Sequence, residues 1–354
     1  MTELALPRAT GVPAWLRGPL PVLIALPVLA VLQVVTTELH FFVYIASLVG
    51  VNIVLAVSLN IVNGMTGQFS IGHAGFMAVG AYISGKFSLE TREFYIALPG
   101  LPMGASDQLV FFISLVLGGS VAALFGFLVG LPSLRLKGDY LAIVTLGFGE
   151  IIRVVVQNTE MFGRALGLSG IPQRSTLFMV GFWVFITVLV ARRIQRSPHG
   201  RSLLAIREDE IAAEAMGVNT TSYKVRAFVI SAFLAGVAGG LFAHFVPIIN
   251  PGSFTFVKSM EIVVMIVAGG LGSNSGAVVA AIFLTLLPEG LRTLFINLGS
   301  GDQSLAQRVD QIRMPIYGFL LVVLMLARPQ GLFGTREIWD IVPRWIPRRF
   351  RGMR

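Results

Sequence analysis

Apolar residues in this chain come in long runs rather than in alternation. Stretches nearly free of charge fall at 20–37, 42–62, 64–86, 109–131, 140–157, 177–191, 225–246, 257–271, 275–296 and 313–327. A bilayer core needs about 20 apolar residues per helix, and in lipid only helices and closed barrels satisfy every backbone group. The pattern predicts an all-α fold, a polytopic membrane helix bundle with about ten transmembrane helices. Two runs, 177–191 and 257–271, are short, so one of them can be re-entrant. The chain divides into an N-terminal segment (1–19), a transmembrane domain (20–327) interrupted by a long polar loop (192–224), and a basic tail (328–354).

Composition supports the same picture. Charged residues make up 13% of the 354 positions, where a soluble protein carries about 25%, and the mean hydropathy is +0.80. The net charge of +9 would suggest nucleic acid in a soluble protein, but here the basic residues sit in loops beside apolar spans. With both termini inside, 17 of the 27 Lys and Arg residues fall in inner segments and 6 in outer loops. That asymmetry is what the positive-inside rule requires. Arg8 and Arg17 precede the first run, which lacks a small-x-small cleavage site and leads straight into another span, so it reads as a retained helix. There is no cysteine, and the four histidines (His40, His73, His199, His244) lack metal-ligand spacing, so no metal site is expected.

Ionisable residues inside spans need a reason to be there. Glu150 with Arg153, Lys258 with Glu261, and Glu289 with Arg292 each stand three apart, close enough to share a helix face and neutralise one another. They are either a relay or structural pairs close to the membrane interface, and the absence of an unpaired central carboxylate favours pairing.

Two glycine-rich stretches break the apolar runs. Gly64-Met65-Thr66-Gly67-Gln68-Phe69-Ser70-Ile71-Gly72-His73-Ala74-Gly75 makes a poor continuous helix, and Ala268-Gly269-Gly270-Leu271-Gly272-Ser273-Asn274-Ser275-Gly276 lies between two runs. Irregular backbone at membrane depth must be covered by protein or line a water-filled cavity, and broken helices at matching places in two halves point to transport sites. The alternative is close helix packing through small residues. Gly67, Gln68, Ser70, His73, Gly75, Gly269, Gly270 and Gly272 are the pathway candidates.

Two other motifs are decoys. Gly80 to Phe87 imitates a phosphate-binding loop but ends in Phe where a hydroxyl is needed, so any ATP hydrolysis belongs to another chain. Gly167-Leu168-Ser169-Gly170 with His244 imitates an intramembrane serine protease, but Ser169 falls in a polar outer loop.

Within the 192–224 loop, Pro198 and Gly200 mark a turn, helix formers run to Met216, and Gly217 stands at a stop position. The expected helix carries a small apolar patch (Ile211, Ala212, Ala213, Ala215, Met216) flanked by acids. That suits insertion into a partner's groove better than lying on headgroups, which favours a basic face.

The stretches Thr66 to Ala74, Leu134 to Leu146, Gly200 to Gly217, Ala268 to Gly272, and Arg328-Pro329-Gln330-Gly331-Leu332 together resemble the permeases of branched-chain amino acid ABC transporters. The resemblance spans about residues 43–335. It implies a bacterial inner-membrane permease for leucine, isoleucine and valine, with cytoplasmic termini and no cofactor of its own. Its partners would be a second homologous permease, two ABC ATPase subunits that hold ATP and Mg, an extracytoplasmic substrate-binding protein and membrane lipid, without nucleic acid. It further implies that the loop, through Arg207, Glu208, Asp209, Glu210, Ala213, Glu214 and Gly217, docks into the ATPase. The outer segment 164–170 departs from a Gly/Pro/Asn-rich run common in the family. Similar permeases for urea or short amides, and an autonomous ion-coupled carrier, are the alternatives.

Overall fold

The computed structural model describes residues 40–91, 103–133 and 140–298, with scattered positions from 315 to 337. The expected span at 20–37 lies outside them, as does most of that at 313–327.

Described in chain order, the helices are α1 (His40–Asn63), α2 (His73–Glu90), α3 (Met103–Ser133), α4 (Tyr140–Asn158), α5 (Leu177–Arg196), α6 (Pro198–Glu208), α7 (Glu210–Ala215), α8 (Thr220–Ala243), α9 (Phe256–Gly269) and α10 (Asn274–Leu298). A two-stranded antiparallel ribbon joins β1 (Leu168–Ser169) to β2 (Ile248–Ile249), pairing Leu168 with Ile249. It follows α8, at the end of the bundle opposite α6 and α7. Among the described residues five helices, α1, α3, α4, α5 and α8, are long and apolar enough to cross a membrane. The fold is an all-α membrane bundle.

Two sequence expectations change and one holds. The run 64–86 is not one helix, because residues 64–72 are irregular and α2 begins only at His73. The short run at 177–191 lengthens to Arg196 as a full 20-residue helix, so its polar last turn had hidden its length. The run at 257–271 stays short: α9 has 14 residues, about 21 Å at 1.5 Å per residue, and it ends where Gly270 turns to φ +110°.

α8 and α1 form the core. In their most apolar windows 67% and 61% of residues are buried, against 28% in α4 and 22% in α5, which therefore lie at the periphery. Small residues let α2 and α8 cross in backbone contact. A Cβ at Gly80 would overlap the Gly236 carbonyl, and one at Gly239 would overlap the carbonyl of Met77. Without water exclusion to drive association in lipid, such close packing is the main source of helix adhesion.

Candidate coupling and pathway site

The segment between α5 and α8 folds as two short helices rather than the single helix expected. Ser197 caps α6 by accepting from Gly200 N at 3.1 Å, with Pro198 at the first helical position. The break comes at Asp209, whose backbone is extended (φ −156°, ψ 110°) and whose Oδ1 accepts from Ile211 N at 2.9 Å and Ala212 N at 3.1 Å. An aspartate that satisfies the orphan amides of a new helix competes with continuing the old one. α7 then ends in a Schellman turn: Gly217, at φ +84°, donates to Glu214 O, and Val218 N donates to Ala213 O.

The expected docking residues divide by direction. Glu210 pairs with buried Lys224 at 2.6 Å, and Glu214 accepts from Thr220 Oγ1 at 2.6 Å, so these two acids hold α7 onto α8. Ala213 is buried beneath them. Glu208 is exposed, and Ile211 and Met216 are 71% and 84% exposed. The outward face is thus two large apolar side chains with acids beside them.

Arg207 turns the other way. Its Nη1 donates to the Gly64 carbonyl at 2.9 Å, and its side chain lies across Gly67 and Gly272, where an added Cβ would come within 2.8 and 2.7 Å of it. The two glycine-rich breaks meet at this point. Asn60 Oδ1 accepts from Gly272 N at 2.9 Å, and Asn60 Nδ2 donates to Asn274 Oδ1 at 3.1 Å. Gln195, at the end of α5, donates to Gly272 O at 3.2 Å and accepts from Asn274 Nδ2 at 3.0 Å.

A strap from the C-terminal part of the chain closes the second break. Leu332 N and Phe333 N donate to Ala268 O (2.9 Å) and Gly269 O (3.2 Å), carbonyls left over at the end of α9. The Glu337 carboxylate accepts from Asn274 N at 2.8 Å and Ser275 N at 2.9 Å at the start of α10, and from the Ser275 hydroxyl. Orphan groups at both helix ends are thereby paired, and a carboxylate at a helix N-terminus is favoured by the dipole. This is how an interrupted helix survives here.

The pathway candidates take different places. Gly67 is exposed and Gln68 half-buried, and the Gln68 side-chain oxygen has no hydrogen-bond partner among the described residues. Ser70 is buried, its backbone N–H donating to Asn63 Oδ1. His73 is buried with Nε2 2.8 Å from Ser58 Oγ. Gly75 packs on Gly149, and Gly269 on Gly276, in backbone contact. Gly270 and Gly272 are buried beneath the strap and Arg207. The protease decoy does not assemble: His244 is held by Gly240 O (2.8 Å) and Ser88 Oγ (2.7 Å), while Ser169 sits exposed in β1.

Residues 41–327 match the family model described as branched-chain amino acid transport system / permease component. The chain belongs to this family. The permease is 36% identical over 324 residues to the Escherichia coli high-affinity branched-chain amino acid transport system permease protein LivM, covering 81% of this chain and 69% of that one. It is 26% identical to a probable LivM of Methanocaldococcus jannaschii, over 82% of this chain and 92% of the relative. It also resembles the E. coli permease protein LivH, 28% identical over 185 residues, about half of each chain (52% and 53%). No solved structure matches the permease.

Asn60, Gln195, Asn274 and Glu337 carry the junction of the breaks, and sequence reasoning passed over all four. A signal was present: Asn60 and Asn63 are amides inside an apolar span, where each needs a partner.

Proposed function

We propose that this chain is one of two homologous permease subunits of a binding-protein-dependent, ATP-driven importer of leucine, isoleucine and valine in the bacterial inner membrane. The chain crosses the membrane about ten times with both termini in the cytoplasm. ATP and Mg are held by two separate ATPase subunits, and an extracytoplasmic binding protein delivers the substrate.

The observation that carries this reading is the Arg207 bridge. The exposed tips Ile211 and Met216 offer themselves to a partner, and four and nine residues before them Arg207 grips both glycine-rich breaks. A push on α7 therefore reaches the places where the helices are already interrupted, which is where a pathway can open at least energetic cost. Gly67, Gln68, Ser70, His73 and Gly75 from one break, with Gly269, Gly270 and Gly272 from the other, make up the inner gate. The printed roles of the LivM relatives support the substrate, and likeness to both LivM and LivH supports a paired second permease.

Reconstitution of the complete transporter in proteoliposomes tests the proposal. The expected result is ATP-dependent leucine uptake, blocked by excess isoleucine or valine and untouched by urea or acetamide. Competition by urea alone would overturn the substrate. Uptake by this single chain on a proton or sodium gradient without ATP would overturn the energisation.

A further inference from the structure

α4 leaves two faces uncovered, and they differ in character. On one side Ile151, Val155 and Phe148, with Phe125 and Leu128 of α3, line a cavity of about 300 Å³ that is almost wholly apolar, as suits lipid. On the other side stands the Glu150–Arg153 pair, Nε to Oε2 at 2.7 Å, the side chains 35% and 27% exposed. Arg153 also donates to Gln157 Oε1 at 3.3 Å.

Of the two sequence readings of this pair, a relay or structural pairing, the second placed it close to the membrane interface. Glu150 instead lies near the middle of α4 (Tyr140–Asn158), about 12 Å from its nearer end at 1.5 Å per residue. A partly exposed ion pair at that depth does not face hydrocarbon, where charged groups are rare and line protein or a water-filled cavity.

The neighbouring surface agrees. Glu150 Oε1 accepts from Phe256 N at 3.3 Å, which sets the start of α9 beside the pair, and Phe256 and Val257 are 43% and 42% exposed. Behind them Lys258 bonds Glu261 at 3.2 Å and Asn52 Oδ1 at 3.1 Å, and Asn52 donates to Thr285 at 2.9 Å. Asn52 is at mid-length in α1 (His40–Asn63), so α9 starts deep in the bundle. Charges from two helices form one layer there, with apolar side chains beside it.

We propose that this face of α4 and α9 lines the translocation pathway, and that Glu150 and Arg153 meet the ammonium and carboxylate of an amino acid in transit. Val154, Phe256 and Val257 receive its aliphatic side chain. The inference rests on the amino acid reading of the site. Paired with each other, the two charges are compensated when the pathway is empty. A passing zwitterion exchanges that one pair for two, so it is held briefly without a deep trap.

The natural lack of cysteine makes the test clean. Val154→Cys and Val155→Cys are placed separately in the full transporter, assembled from cysteine-free partners, and treated with a cationic water-soluble thiol reagent. Val154→Cys is expected to react, and leucine during ATP turnover to slow the reaction. Val155→Cys, on the lipid side, is expected to stay unreactive. Arg153→Gln is expected to lower leucine uptake about tenfold while binding-protein-stimulated ATP hydrolysis persists. Equal reactivity at the two positions, reaction at 154 only when the second permease is omitted, or undiminished uptake by Arg153→Gln would each overturn the inference. A wild-type transporter that carries no branched-chain amino acid, while Val154→Cys still labels, would overturn the substrate reading and the zwitterion contact with it. No labelling at 154 with leucine uptake intact would overturn this inference alone.

Discussion

Arg207 Nη1 lies 2.9 Å from the Gly64 carbonyl oxygen, a bond that joins the α6–α7 segment to the end of α1. The carbonyl is one of the orphan acceptors that every helix C-terminus leaves, and a guanidinium fills it with a charge-assisted bond. Arg207→Ala is expected to leave the complex assembled but to cut substrate uptake about tenfold, with ATP hydrolysis released from its dependence on substrate. Arg207→Lys keeps the charge without the planar fork and falls between. Coupled transport by Arg207→Ala at the wild-type rate would remove the bridge from the mechanism.

Asp209 sets the break between α6 and α7. Replacement by alanine removes an N-cap, a loss of about 1 kcal/mol, and frees the two helices to fuse. Pull-down of the ATPase subunits by Asp209→Ala should weaken several-fold, and Asp209→Asn should restore it, because an amide oxygen also caps. Equal binding by all three proteins would show that the break has no part in docking.

The strap makes a separate prediction. Glu337→Ala leaves two amides at the start of α10 without their acceptor, at about 1–3 kcal/mol. Limited proteolysis should then cut near 330 faster than in the wild type, with Glu337→Gln intermediate. Unchanged cleavage would mean that the strap does not hold the second break.

Close backbone approach predicts sensitivity at Gly80. Even one added methyl overlaps Gly236, so Gly80→Ala should lower the thermal midpoint of the purified transporter, as overpacking by about 1–3 kcal/mol does. Gly147, which has nothing within 4 Å of an added Cβ, is the control: Gly147→Ala should leave the midpoint in place.

Local features were legible in the chain itself. Among the described residues, five apolar runs became helices long enough to cross a membrane, the Glu150–Arg153 and Lys258–Glu261 pairs formed at their i,i+3 spacing, and Gly217 stopped its helix as a left-handed glycine does. What escaped notice depends on partners distant in sequence. Asn60 meets Gly272 and Asn274 only once α1 and α10 have packed, and no periodicity encodes that meeting. Hydropathy alone averages over the glycines within the 64–86 run, and it was their number between Gly64 and Gly75 that marked the break. At Asp209 strong helix formers on both sides masked a cap that competes for the same amides.

The central claim is that work enters this permease through the tip of α7 from a cytoplasmic ATPase. Met216→Cys tests it most directly, since Met216 is 84% exposed and the chain has no cysteine to compete with the introduced one. The account predicts that an impermeant reagent fails to label it in intact cells, labels it in inside-out vesicles, and that a short bifunctional reagent joins it to the ATPase subunit. Labelling from outside intact cells would contradict the account at its root.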